Sequence, residues 1–140
     1  MRPVRTLHTA LRVSDLTASL AFYTALGYEQ VGRVSPQAGT TLVMLKLSDD
    51  PAVTLELVHR PGDGPVHQGA SISHRAVQVD DLDATVTLLH RAGLVPGTVQ
   101  HPAGEHGPST CWLVDPDGYR IELVSWPPGH PDGMTCADFT

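Results

Sequence analysis

An internal duplication constrains this chain more than any other feature of its sequence. When the sequence is shifted by 66 positions, His8 falls on His74 and Glu56 falls on Glu122, so both His/Glu pairs span the same 48-residue interval. The same ungapped shift matches further positions, among them Ala10 with Ala76 and Asp15 with Asp81. Two related modules are therefore predicted, and each of them contributes one imidazole and one carboxylate.

The length of the chain predicts one domain with one hydrophobic core. Its 140 residues lie within the usual size of a single compact domain. We expect a single domain over 1–140, built from module one (about 5–60), module two (about 70–126) and a C-terminal tail (127–140). The segment 60–69 is rich in proline and glycine, so it is interpreted as the linker between the modules.

Composition and charge exclude several classes of protein. No stretch approaches the roughly 18 apolar residues of a membrane span, and the net charge of −6 with scattered cationic residues argues against nucleic acid. A small-molecule partner is the remaining default. Cys111 and Cys136 form no CxxC pattern and are predicted to be reduced thiols. Because no apolar leader follows the N-terminus, the cytoplasm is the expected compartment.

Hydrophobic periodicity predicts the order β-α-β-β-β in both modules. In module one, a helix begins after Ser14 or Asp15 and ends at Gly27. The predicted strands of this module are 7–13, 28–34, 41–47 and 52–59. In module two, the helix begins after Asp80 or Asp81 and ends near Arg91. The predicted strands of this module are 72–79, 97–99, 109–114 and 119–125. The tail is expected to lack regular structure and to act as an ordered tail or as a lid.

The two glutamates lie at places where a carboxylate is costly to bury. Strand alternation puts Glu56 and Glu122 opposite apolar neighbours in the middle of their strands, and such a group needs a positive partner. Taken singly, each histidine is better interpreted as a structural residue and each glutamate as a solvated one. Their joint recurrence favours one divalent cation held by His8, Glu56, His74 and Glu122, with two positions open for water or substrate.

Several segments of the chain resemble glyoxalase I, lactoylglutathione lyase, of the vicinal oxygen chelate superfamily. They are 7–13 (LHTALRV), 22–27, 55–57 (LEL), the strand that bears His74, and 115–123 (DPDGYRIEL). The resemblance covers about 7–126. It implies an α+β fold in which two βαβββ modules pair into a cup-shaped, barrel-like mixed sheet, and it assigns the four residues above as the metal ligands.

The same resemblance implies the reaction and the roles of the carboxylates. It predicts a metal-dependent isomerase that converts a 2-oxoaldehyde–thiol hemithioacetal into an S-2-hydroxyacyl thioester through a metal-bound enediolate. Glu122 is assigned as the principal base and Glu56 as its partner. Glu56 discriminates among relatives, because dioxygenases and fosfomycin-modifying proteins of this fold use three ligands. The alternatives are proton transfer like that of methylmalonyl-CoA epimerase, or a non-catalytic drug- or metabolite-binding protein.

The cosubstrate, the metal and the assembly are also taken from this resemblance. Arg12 matches an arginine that binds a carboxylate of glutathione, whereas Arg60 replaces the asparagine that usually contacts its glutamyl part. Arg12 and Arg60 are therefore candidate substrate-binding residues, and the identity of the thiol is left open. Nickel or cobalt is favoured over zinc or manganese. A homodimer with sites shared between two chains is expected, although the two modules of one chain can also close on each other.

Overall fold

The computed structural model describes residues 2–140, which divide into two compact units. Unit 1 ends at Gln68 and unit 2 begins at Gly69, inside the predicted linker. Each unit has one α-helix and one mixed sheet, so the predicted α+β class is confirmed. No helix in residues 2–140 is long and apolar enough to cross a membrane. A single shared core for the whole chain stays a prediction.

Unit 1 is a four-stranded mixed sheet with one helix. Its elements are β1 (Thr9–Arg12), α1 (Leu16–Leu26), β2 (Tyr28–Gln37), β3 (Thr40–Leu47) and β4 (Leu55–His59). The strand order is β1-β4-β3-β2, in which β1 runs parallel to β4 and the other pairs are antiparallel. This order places β4 in the interior of the sheet, between β1 and β3, so that Glu56 has a neighbouring strand on each side.

Local chemistry begins and ends α1 where the sequence predicts. The Asp15 side chain accepts a hydrogen bond from the Ala18 N–H, which satisfies a backbone donor of the first turn. Gly27 ends the helix with a φ of 119°, a conformation that glycine adopts without steric cost. The side chains of Phe22 and Tyr23 on this helix are buried and belong to the hydrophobic core of unit 1.

Unit 2 repeats this plan with one strand fewer. Its elements are β5 (Arg75–Gln78), α2 (Leu82–Arg91), β6 (Ser109–Val114) and β7 (Arg120–Ser125), in the strand order β5-β7-β6. Again the first strand is parallel to the last, and α2 is capped by Asp81, whose side chain accepts from the Ala84 N–H. The turn between β6 and β7 is held by the Asp115 carboxylate, which accepts the N–H groups of Asp117 and Tyr119.

The strand predicted at 97–99 is wrong. In its place the chain makes a single bridge between Gln100 and Thr110, and the Gly97 N–H donates to the Trp112 carbonyl in a different register. Pro96 has no backbone N–H to give to a ladder, and glycine weakens a strand because it has no side chain to pack. The segment therefore follows the edge of β6 without joining its sheet.

The C-terminal tail is ordered against unit 2. The Gln78 side chain donates to Asp132 Oδ1 at 2.7 Å and accepts from the Gly133 N–H at 3.0 Å, which attaches the tail to β5. The His130 ring stacks on Trp126 with ring centroids 4.2 Å apart. Its Nε2 lies 2.6 Å from Asp138 Oδ1, in a short 3₁₀ helix (Cys136–Phe139) that the sequence does not predict.

The His130–Asp138 contact predicts how the tail responds to pH. The hydrogen bond to Asp138, followed by the one to the Pro131 carbonyl, raises the pKa of His130 above 6.5. The Thr135 N–H, followed by His130, lowers the pKa of Asp138 below 3.8. The His130 contribution is complete below pH 6.5 and is lost as pH rises through the raised pKa. The Asp138 contribution is complete above pH 3.8 and is lost as pH falls through the lowered pKa.

We therefore expect the tail to be held most firmly between pH 3.8 and 6.5. The measurement is an NMR titration of the His130 imidazole, whose pKa should lie above 6.5 in the unmodified chain and return toward that value in Asp138→Asn. Asp83→Asn, which changes an exposed carboxylate of α2 outside the tail, is the matched control. An identical His130 titration in the unmodified chain and in Asp138→Asn would contradict the prediction.

Candidate functional site

The first His/Glu pair comes together on the sheet of unit 1. His8 lies one residue before β1, and Ala10, two residues later, is aligned with Glu56 on the parallel strand β4. His8 Nε2 is 2.9 Å from Glu56 Oε2. The side chains are 36% and 15% exposed, respectively, so the pair is accessible from solvent.

Strand alternation directs Glu56 away from the core. Leu55 and Leu57 on either side of it are 0% exposed, so the carboxylate must leave through the other face of β4. The neighbour across β1 is Ala10, whose methyl group is too small to cover the carboxylate. Glu56 is consequently half-buried and remains reachable by a small ligand.

The second pair has the same strand placement in unit 2, although no hydrogen bond or ion pair joins His74 to Glu122 within residues 2–140. His74 lies one residue before β5, and Ala76 is aligned with Glu122 on the parallel strand β7. Ile121 and Leu123, which flank Glu122, are 0% exposed, so this carboxylate also points away from the core. His74 Nδ1 lies 2.9 Å from Ser73 Oγ, a contact that orients the imidazole and leaves Nε2 available.

Two side chains around Glu122 were not identified as functional candidates from the sequence. Trp112 on β6 is directly opposite Glu122, and its indole meets the His74 ring edge-on with centroids 5.0 Å apart. Arg120, two residues before Glu122 on the same face, places its guanidinium carbon 4.3 Å from the centroid of the Trp112 ring. Strand alternation in the sequence already places Arg120 on the same face as Glu122. The contact of Arg120 with Trp112, however, depends on the pairing of β6 with β7.

The geometry of the first pair fits two ligands of one cation. With metal–donor bonds of about 2.1 Å, neighbouring donors in octahedral geometry are about 3 Å apart, which matches the 2.9 Å between His8 Nε2 and Glu56 Oε2. Within residues 2–140, no group of three or more histidines, cysteines, aspartates or glutamates is arranged to hold a metal. Each unit by itself thus contributes one histidine and one glutamate on neighbouring strands, which is fewer ligands than a metal site needs.

The two arginines predicted to bind substrate lie beside the linker of unit 1. Arg12 is half-buried, and its Nη2 contacts the Gly64 carbonyl oxygen at 3.5 Å, so part of the guanidinium faces the backbone of the linker. Arg60 is exposed and lines an open cavity of about 360 Å³ between the linker and the β2–β3 turn. The structure does not bring Arg60 into contact with the His8–Glu56 pair, and a substrate-binding role for either arginine stays a prediction.

Comparison with known proteins gives the family. A family model described as the glyoxalase/bleomycin resistance protein/dioxygenase superfamily matches residues 5–123. The lactoylglutathione lyase of Haemophilus influenzae is 36% identical over 124 residues, which cover 84% of this chain and 90% of that protein. The enzyme of the same name from Neisseria meningitidis serogroup B is 37% identical over 127 residues, which cover 86% and 90%. The chain belongs to the lactoylglutathione lyase, or glyoxalase I, family.

A solved structure agrees with this assignment. The trypanothione-dependent glyoxalase I of Leishmania major superposes with a TM-score of 0.71 at 31% identity, covering 88% of this chain and 87% of that one. The predicted family, the glyoxalase fold and an enzyme of the lactoylglutathione lyase type are therefore confirmed. Membership of this family points to a divalent metal, for which the His8–Glu56 pair has a suitable donor spacing.

Proposed function

We propose that the chain is a metal-dependent isomerase of the glyoxalase I type. It converts the hemithioacetal of a 2-oxoaldehyde and a thiol into an S-2-hydroxyacyl thioester. The observation that carries the proposal is the repeated construction of the two His/Glu pairs. In both units the histidine lies one residue before the first strand, and the glutamate is aligned with an alanine of that strand.

Four residues are proposed to hold the cation, namely His8, Glu56, His74 and Glu122. Two imidazole nitrogens and two carboxylate oxygens suit a divalent transition metal. When bound, the cation supplies positive charge that stabilises the negative charge developing on two substrate oxygens. Nickel or cobalt is our first choice, and zinc or manganese follows.

The carboxylates move the proton in this proposal. Glu122 removes the proton from the carbon next to the carbonyl group, and the proton is returned to the neighbouring carbon. The buried side chains of Ile121 and Leu123 anchor this strand in the core, and the small side chain of Ala76 is the neighbour of Glu122 on the parallel strand. Glu56 takes the corresponding place in unit 1 and is proposed to assist reprotonation or to serve the opposite hand of the substrate.

The assembly and the thiol complete the proposal. We propose a homodimer in the cytoplasm, in which the pair of unit 1 is completed by a pair from unit 2 of the same chain or of the second copy. The thiol is left open, because the Leishmania major relative is described as trypanothione-dependent, whereas the curated relatives are lactoylglutathione lyases. Arg60, in place of the usual asparagine, gives this chain a further reason to differ in its thiol.

The deciding experiment is a thiol panel on protein of known metal content. Purified protein is stripped with a chelator, reconstituted separately with nickel, cobalt, zinc and manganese, and assayed for thioester formation from methylglyoxal with several thiols. We expect activity to disappear on stripping and to return with at least one metal and one thiol. Racemisation of an acyl-CoA without thioester formation would instead indicate an epimerase. Failure to retain stoichiometric metal after reconstitution would indicate a binding protein.

A further inference from the structure

Arg120 is a cation without a charged partner beside the proposed base. Its guanidinium lies 4.3 Å from the centroid of the Trp112 ring, and it forms no hydrogen bond or ion pair with the residues that the structure describes, 2–140. Its partner across the β6–β7 pair is Val114, which is 59% exposed and carries no charge. Arg120 is exposed, and its guanidinium has hydrogen-bond donors that no residue of the described chain uses.

The contact with Trp112 suits this guanidinium for binding an anion. A guanidinium over an aromatic face is attracted to the ring without using its N–H donors, which stay available in the fork geometry that matches a carboxylate. The contact with the ring restrains the guanidinium, which reduces the conformational freedom lost when a ligand binds. Because Arg120 and Glu122 share one face of β7, an anion bound there lies next to the reacting atoms of a substrate under Glu122.

Unit 1 has no counterpart of this arrangement. The residue directly opposite Glu56 is Met44, where unit 2 has Trp112 opposite Glu122. The residue two positions before Glu56 is Thr54, where unit 2 has Arg120. One difference between the two units is therefore the cation over an aromatic ring, which is present beside Glu122 and, within residues 2–140, absent beside Glu56.

We propose that Arg120, held on Trp112, is a specificity-determining residue that binds a carboxylate on the thiol part of the substrate. The place of this carboxylate relative to the reacting carbon rests on the proposed function. The contact of Arg120 with Trp112 and the absence of a charged partner among the described residues do not depend on the proposed function. Methylglyoxal carries no carboxylate, so the thiol is the part of the hemithioacetal that must supply one.

The kinetic test compares two thiols that differ in one group. Hemithioacetals of methylglyoxal with 3-mercaptopropionate and with 3-mercaptopropan-1-ol are assayed with the metal-reconstituted protein. Because a charge-assisted hydrogen bond is lost, Arg120→Met should raise KM about tenfold for the carboxylate substrate and leave the alcohol substrate unchanged. Arg120→Lys, which keeps the charge without the planar fork, should recover part of the loss. Arg91→Met, at the end of α2, is the control.

A binding measurement separates this proposal from the proposed reaction. In a Trp126→Phe background Trp112 is the remaining tryptophan, and its fluorescence reports on the stacked guanidinium. We expect saturable quenching by 3-(methylthio)propionate, none by 3-(methylthio)propan-1-ol, and about tenfold weaker binding of the anion after Arg120→Met. If no thiol supports turnover, the proposed reaction is wrong, and this titration alone tests whether Arg120 binds a carboxylate. Equal effects on both ligands, or no effect of Arg120→Met, would overturn the assignment.

Discussion

Replacing Glu122 by glutamine is expected to lower kcat by about two to four orders of magnitude. Glutamine keeps the size of the side chain and an oxygen donor, but it does not accept a proton in the relevant pH range. The strand around it should be undisturbed, because Ile121 and Leu123 supply the buried contacts. The measurement is kcat for thioester formation together with the metal content of the same preparation, which should remain close to that of the unmodified protein.

Two further variants make this result interpretable. Glu105→Gln removes a carboxylate from an exposed loop and should leave kcat unchanged. Glu56→Gln tests the partner role and should have a smaller effect than Glu122→Gln if Glu122 is the principal base. A nearly normal kcat in metal-loaded Glu122→Gln would refute the assigned base. A larger loss in Glu56→Gln would exchange the two roles.

Replacing Tyr23 by alanine is expected to destabilise the fold by about 3–5 kcal/mol, the range for a large aromatic residue in a core. Tyr23 is 0% exposed, and its ring makes edge contacts with Phe22 at 5.0 Å and with Tyr28 at 5.6 Å. Alanine would leave a cavity between α1 and the sheet of unit 1, which the surrounding backbone cannot fully close. Chemical denaturation monitored by circular dichroism gives the free energy of unfolding.

The matched control for Tyr23 is Val31→Ala on β2. Val31 is 54% exposed, so its truncation removes little buried surface and should change the free energy of unfolding by about 0.5 kcal/mol or less. A loss below about 1 kcal/mol for Tyr23→Ala would show that the aromatic cluster of unit 1 contributes less to stability than its burial indicates. Because the cluster lies on the core face and Glu56 points to the other face, the effect on kcat per folded molecule should be small.

Local sequence chemistry predicted the helices and most of the strands. Asp15 and Asp81 cap α1 and α2 as expected, and alternation in β4 and β7 correctly separated Glu56 and Glu122 from the buried leucines. The failure at 97–99 has a physical cause. A short apolar segment has the composition of a strand, but whether it joins a sheet depends on a partner that is distant in sequence.

The duplication itself was informative only up to a point. The 66-residue shift aligns Trp112 with Lys46, but the residue opposite Glu56 is Met44. Met44 precedes Glu56 by 12 residues, whereas Trp112 precedes Glu122 by 10, so the turn between β3 and β4 is two residues longer than the one between β6 and β7. An ungapped comparison of the two modules does not reveal this insertion. The two additional residues lie in a turn, where a change of length is compatible with the same sheet.

The sequence by itself determined which side chains leave the core and where the helices begin and end. These properties follow from the two-residue alternation of a strand and from capping by near neighbours, both of which act over a few residues. Only the tertiary structure decided that His8 reaches Glu56, that Trp112 pairs with Glu122, and that the Arg120 guanidinium lies over the Trp112 ring. Those contacts depend on the register of paired strands, and register is set by side chains far apart along the chain that pack together only when the sheet has formed.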